Sequence, residues 1–224
     1  MQRVCVESVQ RRNLVNARTT VMSIAYVPRI EVPYGYYHVA TRGNNKRSIY
    51  TDDRDRELFL LLLRRVARRY GWSFYAYCLM GNHYHLLMQI AEAGISRGMC
   101  ELNTGYAATY NARHARINHL FGKRFWSELI TTDAHLLATC RYVVQNPVRA
   151  GFCRGCEDWK WSSYRATVGV AIPEPFLAVG EVLRFVTPGV GDPVDRFREY
   201  CSTIVPKRPA SVGHDRVAAT VTGV

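Results

Sequence analysis

Two histidines separated by a single residue, His83 and His85, carry the sharpest chemical signal in the sequence. Residues two apart on a β-strand project from the same face, so both imidazoles would point in one direction. Their nitrogen atoms could then share one divalent metal ion, for which imidazole is a common ligand. The flanking residues are apolar, which indicates a half-buried sheet in which both rings need partners. Buried hydrogen-bonding groups also produce this pattern, so the pair alone does not decide between a metal site and a structural role.

A phenol and an amide, those of Tyr142 and Asn146, form a second candidate pair four residues apart. On a helix this spacing places both side chains on one face, and Pro147 helps to end the helix. The phenol and the amide oxygen could meet the same metal ion or the same phosphate group. Tyrosines in helices more often pack in a core, and on chemistry alone Tyr106 and Tyr110 are rival nucleophiles.

The elements that carry these side chains follow from the spacing of apolar residues, which predicts the order β-α-β-β-α-β-α. Strands are expected at 36–41, 72–80, 83–90 and 124–131, and helices at about 53–70, 95–117 and 133–145. This order indicates an α+β fold, a ferredoxin-like sandwich in which an antiparallel sheet carries its helices on one face. The two histidines then lie on a middle strand and Tyr142 lies on a later helix. We expect all three groups to converge on a common ion.

The charge of the chain is strongly positive, with 30 lysines and arginines against 18 acidic residues and a formal net charge of +12. Such an excess favours a polyanionic partner, either a nucleic acid or an acidic membrane surface. The candidate phosphate contacts follow the first strand or lie in a later basic loop; they are Arg42, Lys46, Arg47, Lys123 and Arg124. Four further arginines on the first helix, at 64, 65, 68 and 69, are also typical of a solvated helix face.

The organisation of the chain is expected to comprise three regions. These are a basic N-terminal extension without structure at 1–30, a catalytic domain at 31–167, and a C-terminal extension at 168–224 that is partly helical and ends in a disordered tail. No segment approaches the ~20 apolar residues of a membrane-spanning helix, so no membrane association is expected. Seven scattered cysteines and no export signal are typical of a reduced, cytoplasmic protein.

Six stretches of sequence occur in an order that resembles a known family. They are YHVATRG at 37–43, AYCLMGNHYHLL at 76–87, NARH at 111–114, HLFGKRF at 119–125, YVVQNPVRAG at 142–151 and DWKWSSY at 158–164. Together they look like the HUH domain of the single-tyrosine, IS200-like transposases, and they are most similar to the REP-associated tyrosine transposases. Two departures are small: Gly81 stands where proline is frequent, and Tyr84 stands where an aliphatic residue is common.

The resemblance implies a transposase-type DNA strand-transferase that cleaves and rejoins single-stranded or hairpin DNA. His83 and His85 match two metal ligands, Asn146 matches the position of the third, and Tyr142 matches the nucleophile. A Mg²⁺ or Mn²⁺ cofactor and a 5′-phosphotyrosine intermediate follow from the same resemblance. The implied partner is hairpin-forming DNA at repetitive palindromic ends, bound by a monomer or homodimer associated with the nucleoid in the cytoplasm.

Two other interpretations stay open. A non-catalytic nucleic-acid-binding protein would keep the basic charge, and its histidines would only satisfy buried hydrogen bonds. A metal-dependent nuclease would use water as the attacking group and leave Tyr142 with a structural role. The joint presence of His83, His85 and Tyr142 favours the transferase over the first alternative.

Overall fold

A four-stranded antiparallel sheet organises the chain in the computed structural model, which describes residues 31–186 and 191–204. Its strands are β1 (Tyr36–Arg42), β2 (Ser73–Leu79), β3 (His83–Gln89) and β4 (Trp126–Ile130), in the spatial order β2-β3-β1-β4. The helices are α1 (Asp53–Tyr70), α2 (Ile95–Arg113), α3 (Asp133–Val144), α4 (Asn146–Arg149), α5 (Tyr164–Thr167), α6 (Val179–Phe185) and α7 (Pro193–Ser202).

The expected α+β, ferredoxin-like arrangement is confirmed. The elements β1-α1-β2-β3-α2-β4 follow one another along the chain, and each strand pairs antiparallel with its neighbours. β3 and β1 occupy the two central positions of the sheet. The predicted strand that carries His83 and His85 is therefore a middle strand, as expected.

Helices cover both faces of the sheet, whereas the sequence predicted them on one face only. α1 and α2 pack with Val39, Tyr84 and Leu86 in one core. α3, α6 and α7 pack with Cys78 and Leu87 in a second core on the opposite face. The reason lies in the pleat, because the buried strand β2 is apolar on both sides and contributes to both cores, so each side has to be shielded from water. The prediction is right for α1 and α2 and wrong for α3.

A buried carboxylate joins the start of α1 to the end of α2. Asp52 and Asp55 form a capping box at the start of α1, and Asp55 also contacts Arg113 and His114. Burial raises the pKa of the Asp55 carboxyl. Hydrogen bonds from His114, from a backbone N–H and from Arg113 lower it by more, so its pKa lies below the ordinary value. The charged form of Asp55 is therefore the form that the fold stabilises.

The end of α2 differs from the prediction, since the helix stops at Arg113 and not near residue 117. Ala115 has a φ of 49°, and the Ile117 side chain is 97% exposed. The side chains of Arg113 and His114 turn toward Asp55, and the left-handed backbone at Ala115 then directs the chain away from the helix axis. The expectation that this helix continues to about residue 117 is wrong for this reason.

The segment after residue 167 packs mainly onto the second core and, around Leu177, onto the first. Val182 of α6 and Phe197 of α7 are buried in the second core, and Leu177 forms a parallel bridge with Phe74 of β2. The predicted division of the chain at residues 167 and 168 stays a prediction. The expected N-terminal extension at 1–30 and the tail beyond 204 lie outside the described residues. Among the helices at 31–186 and 191–204, none combines the length and the apolar character that a membrane crossing requires.

Replacing Asp55 by alanine is expected to lower the free energy of unfolding by about 2–4 kcal/mol, because Arg113 and His114 lose their buried partner. Since the pKa of Asp55 is lowered by folding, its carboxylate stabilises the protein above its ordinary pKa of about 4. That contribution is lost as the pH falls through the folded value. Denaturant titrations between pH 7 and pH 3 should therefore show the difference between wild type and variant shrinking below about pH 4.

The matched control is Asp53→Ala, two residues earlier in α1, where the carboxylate is exposed and pairs with Lys160. We expect little change in unfolding free energy for this variant. A loss of equal size in both variants would contradict the role assigned to the buried Asp55 ion pair.

Candidate active site

A cleft of about 680 Å³ opens where the end of β1 and the start of β3 meet α3 and α4. His83, His85, Tyr142 and Asn146 all line it, so the structure brings together the four side chains singled out in the sequence. Four of the five predicted basic contacts line it as well, namely Arg42, Lys46, Lys123 and Arg124. The opening of the cleft is therefore basic, and its floor is formed by imidazole and phenol rings.

The strand register fixes the two histidines of β3. Ala40 lies opposite His85 and Arg42 lies opposite His83 on the neighbouring strand β1. Both imidazoles project toward the face that α3 covers, with their ring centroids 5.1 Å apart. The rigidity of a central strand, paired on both sides, holds this spacing without help from a loop.

Each of these rings has its Nδ1 atom in a hydrogen bond. His83 Nδ1 donates to the side-chain oxygen of Asn82 at 2.7 Å, which places the ring proton on Nδ1. His85 Nδ1 lies 3.0 Å from Nε2 of His38 on β1. Among the described residues, none hydrogen-bonds to Nε2 of His83 or His85. In the tautomer in which His85 also carries its proton on Nδ1 and donates to His38, the Nε2 lone pairs of both rings are available to a further group in the cleft.

Burial keeps these imidazoles uncharged. It lowers the pKa of His38 to about 4, with a smaller contribution from nearby His135. It also lowers the pKa of His83 to about 4, assisted by the positive charge of Arg42. The pKa of His85 lies well below its ordinary value, again chiefly because of burial. At neutral pH all three rings are therefore neutral, which is the form that can donate a lone pair to a metal.

The Tyr142 ring lies directly against the histidines. Its centroid is 5.6 Å from that of His85, with the ring planes nearly perpendicular, and 5.7 Å from that of His38. The Arg149 guanidinium lies 4.6 Å from the same ring centroid. The rival tyrosines, Tyr106 and Tyr110, are buried in the core formed with α1 and α2 on the other face of the sheet. Position therefore favours Tyr142 over both rivals.

A buried glutamine sets the position of the helix that carries Tyr142. Gln145 is fully buried at the junction of α3 and α4, where its side-chain Nε2 donates to the Cys201 and Thr203 carbonyls, each at 2.8 Å. Val143 and Val144 pack into the second core beside it. The end of α3 is thus tied to the end of α7, and Tyr142 faces the cleft as a result.

The donor groups of the cleft suit a divalent metal ion. Asn146 donates through Nδ2 to the Tyr142 carbonyl at 2.9 Å, and this contact leaves its side-chain oxygen for another partner. No cluster of three His, Cys, Asp or Glu side chains in the described ranges has the geometry of a metal site. A third protein ligand would thus be of another type, and the Asn146 amide lines the same cleft as His83 and His85.

The loop between β1 and α1 is clamped to the turn that precedes His83. Gly43 N–H donates to the Asn82 carbonyl at 2.8 Å, and the Asn82 side chain donates to the Lys46 carbonyl at 2.9 Å. A Cβ atom at Gly43 would clash with the Arg47 carbonyl oxygen, at a distance of 2.1 Å, so only glycine fits at this position. Asn82 therefore contacts both the basic loop and the imidazole of His83.

Arg47, the fifth predicted phosphate contact, does not line the cleft. Residues 45 and 46 have left-handed backbone, so the Arg47 side chain lies beyond the loop, in a separate pocket with Arg116 and His119. On α1, Arg64 pairs with Glu174 at 2.8 Å and Arg69 pairs with Glu101 at 3.0 Å. These two arginines act within the fold, in agreement with the solvated-face interpretation.

The sequence analysis did not identify four residues that belong to the site: His38, Asn82, Trp126 and Arg149. His38 and Asn82 lie inside the motifs at 37–43 and 76–87, but only the folded structure shows which side chains they contact. Arg149 follows Tyr142 by seven residues, two helical turns away, which could have suggested it. Trp126 is 41% exposed at the edge of the cleft, and no local pattern signalled it.

The family of the chain follows from comparison with known proteins. A family model described as "Transposase IS200 like" matches residues 31–146, more than half of the chain and a range that includes His83, His85, Tyr142 and Asn146. The chain belongs to the IS200-like transposase family. This membership confirms the resemblance that the motifs predicted and gives the chain a transposase role.

Two relatives of this IS200-like transposase agree with the assignment. A protein of Haemophilus influenzae classed as a REP-associated tyrosine transposase is 27% identical over 120 residues, which cover 49% of this chain and 68% of the relative. The solved structure of a REP-associated tyrosine transposase bound to a REP hairpin matches with a TM-score of 0.55 and 18% identity, over 65% of this chain and 86% of that one. At that identity the structural likeness shows the fold alone.

Replacing Gly43 of this transposase by alanine is expected to lower the free energy of unfolding by about 3 kcal/mol, because the new Cβ would clash with the Arg47 carbonyl. The loop would also have to move away from Asn82. The control is Gly81→Ala in the facing turn, where an added Cβ meets nothing within 4 Å. Thermal and denaturant unfolding of both variants measure the effect. Equal stability of the two variants would show that the loop is not clamped as described.

Proposed function

We propose that the chain is a metal-dependent, single-tyrosine DNA strand-transferase that cleaves and rejoins single-stranded DNA beside a hairpin. The observation that carries this proposal is the contact of the Tyr142 ring with His85, at a centroid distance of 5.6 Å, in a cleft lined by basic residues. Membership of a transposase family and the likeness to a structure whose protein is bound to a REP hairpin support the choice of substrate.

His83, His85 and Asn146 would hold a Mg²⁺ or Mn²⁺ ion, through two imidazole nitrogens and one amide oxygen. When bound, such an ion supplies positive charge to the oxygens of a phosphate, where charge builds up as the phosphodiester is cleaved. Uncharged ligands suit this role because they leave most of the charge of the ion for the phosphate. The depressed pKa values of the two histidines support a lone pair on each ring at neutral pH.

Tyr142 would act as the nucleophile. Its oxygen forms a bond to phosphorus as the bond to the 3′ oxygen breaks, which yields a 5′-phosphotyrosine and a free 3′ hydroxyl. The phenol proton passes to water in the cleft, and the departing 3′ oxygen takes up a proton. A 3′ hydroxyl can attack the same phosphorus in the reverse direction, so rejoining needs no external energy source.

The basic residues around the cleft would hold and orient the DNA backbone. Arg149 lies over the Tyr142 ring, where its positive charge would stabilise a negatively charged oxygen of the phosphate. Arg42, Lys46 and Lys123 line the opening of the same cleft and carry no carboxylate partner in ion-pair range within the described residues. They are free to neutralise phosphates on either side of the cleavage point.

A Tyr142→Phe variant tests the chemistry. Wild type incubated with a hairpin-tailed, end-labelled oligonucleotide and Mn²⁺ should form a covalent adduct that survives denaturing electrophoresis. The variant should form none, because the phenol oxygen is absent, and it should bind the hairpin within a few-fold of wild type. Tyr110→Phe, which removes a hydroxyl from the other core, is the matched control and should retain the adduct.

The same experiment separates the alternatives. Cleavage without an adduct, in wild type and in Tyr142→Phe alike, would indicate a water-using nuclease. Binding without cleavage in wild type would indicate a non-catalytic DNA-binding protein. His83→Ala should abolish cleavage and leave hairpin binding within a few-fold, and an equal loss of both would contradict a catalytic role for His83.

A His38→Phe variant tests whether His38 fixes the tautomer of His85. Phenylalanine fills the same space but cannot accept the Nδ1–H of His85, so the affinity for Mn²⁺ should fall about tenfold or more. His38→Gln keeps an acceptor oxygen and should recover part of the loss. Titration of each variant with Mn²⁺, followed by electron paramagnetic resonance or calorimetry, gives the affinity without DNA. Unchanged affinity in His38→Phe would show that the contact is structural only.

A further inference from the structure

A second, smaller pocket lies on the other side of the loop that borders the cleft. Its volume is about 280 Å³, and it is lined by Asn44, Asn45, Arg47, Arg116, Asn118 and His119. Asn44 and Asn45 also line the cleft that contains Tyr142. The 3₁₀ turn at Asn44–Lys46 is therefore a wall common to the two sites.

Two consecutive basic residues are divided between these sites. Lys46 lines only the cleft, and Arg47 lines only the second pocket. The division depends on the left-handed backbone of Asn45 and Lys46, with φ of 51° and 59°. Non-glycine residues adopt this conformation at a cost of order 1–3 kcal/mol each, and such strain tends to be kept at sites of function.

The chemistry of the second pocket suits an anion. Two guanidinium groups, an imidazole and three amides line it, and no carboxylate does. In the described part of the chain, no acidic side chain lies within ion-pair distance of Arg47, Arg116 or His119. The formal charge of the two arginines is thus left without an internal partner, in contrast to Arg64 and Arg69 of α1.

The walls of the pocket are held in place by the surrounding fold. The Asn111 side chain donates to the Asn118 carbonyl at 3.0 Å, and the Arg116 backbone N–H donates to the Asn111 carbonyl at 2.9 Å. The Arg116 guanidinium lies 5.6 Å from the Tyr110 ring centroid. On the opposite wall, Asn44 N–H donates to the Leu120 carbonyl at 2.8 Å. Arg47 and Arg116 therefore lie on opposite walls of the pocket, and backbone hydrogen bonds hold both walls in place.

We infer that the second pocket binds a phosphodiester of the same DNA strand whose cleavage was proposed above, on the far side of the Asn44–Lys46 turn. A strand that leaves the catalytic cleft over Asn44 and Asn45 meets this pocket next. Arg47 and Arg116 bind the phosphate as a pair, and the amides of the shared wall contact the backbone as it passes. The subsite would thus hold DNA that lies outside the reach of Tyr142.

The test compares a hairpin oligonucleotide that ends close to the cleavage point with two longer ones, extended on the 5′ or the 3′ side. Wild type should bind one of the longer oligonucleotides more tightly than the short one. A double variant, Arg47→Ala with Arg116→Ala, should lose about tenfold or more of the affinity for that oligonucleotide at low salt. The slope of log K against log salt should become shallower by about 1 to 2, as expected for the loss of two phosphate contacts.

The matched control is Arg65→Ala with Arg68→Ala, which removes the same charge from the exposed face of α1. It should leave the preference for the extended oligonucleotide and the salt slope unchanged. Replacing Arg47 and Arg116 by lysine should restore most of the affinity, because a phosphate needs the charge more than the guanidinium shape. Fluorescence anisotropy measures all of these affinities, and matching unfolding temperatures show that the variants are folded.

Three results would overturn the subsite. They are the absence of any preference for an extended oligonucleotide in wild type, an equal loss of affinity in the α1 control, and an equal loss for short and extended DNA in the Arg47/Arg116 variant. Absence of a covalent adduct in wild type would instead count against the proposed chemistry alone. The comparison of affinities would stand in that case, since it requires binding and no cleavage.

Discussion

Three imidazole rings, those of His38, His83 and His85, lie where the central strands meet α3, and burial keeps each of them neutral. A neutral imidazole has one donor and one acceptor nitrogen, so a buried ring needs a partner of matching type. Asn82 and the contact between His38 and His85 satisfy the Nδ1 side of the two β3 rings. The geometry of the cleft follows from this requirement, because the Nε2 atoms of His83 and His85 and the Tyr142 ring then face the cleft.

The position of Tyr142, the proposed nucleophile, depends on packing with residues that lie far from it in sequence. α3 covers the histidine face of the sheet only because the second core, with Leu87 and Cys78 of the sheet, draws its apolar side inward. Gln145 then fixes the end of the helix through two carbonyls at the end of α7. The proposed metal ligands stand on a rigid strand, whereas Tyr142 stands on a helix held by side-chain contacts. The two halves of the site therefore have different sources of rigidity.

Much of this arrangement could be predicted from local pattern. The period-two spacing of His83 and His85 and the apolar strands are local properties, and they predicted the sheet and its middle strand correctly. The placement of α3 on the opposite face, the early end of α2 at Arg113 and the displacement of Arg47 depend on contacts between distant residues. A strand that is apolar on both sides does not reveal which helix covers which face. The contact between His38 and His85 likewise appears only through strand pairing.

The hydrogen bonds from Gln145 to the carbonyls at the end of α7 bear on how long a fragment must be in order to fold. A fragment cut after residue 167 would keep every side chain of the cleft, yet it would leave a fully buried amide without its acceptors and remove the cover that Val182 and Phe197 give to the second core. The smallest autonomous unit therefore reaches at least to residue 203, well past the end of the family match at 146. A substitution in α7 would therefore change the position of Tyr142 even if every residue around the cleft stayed the same.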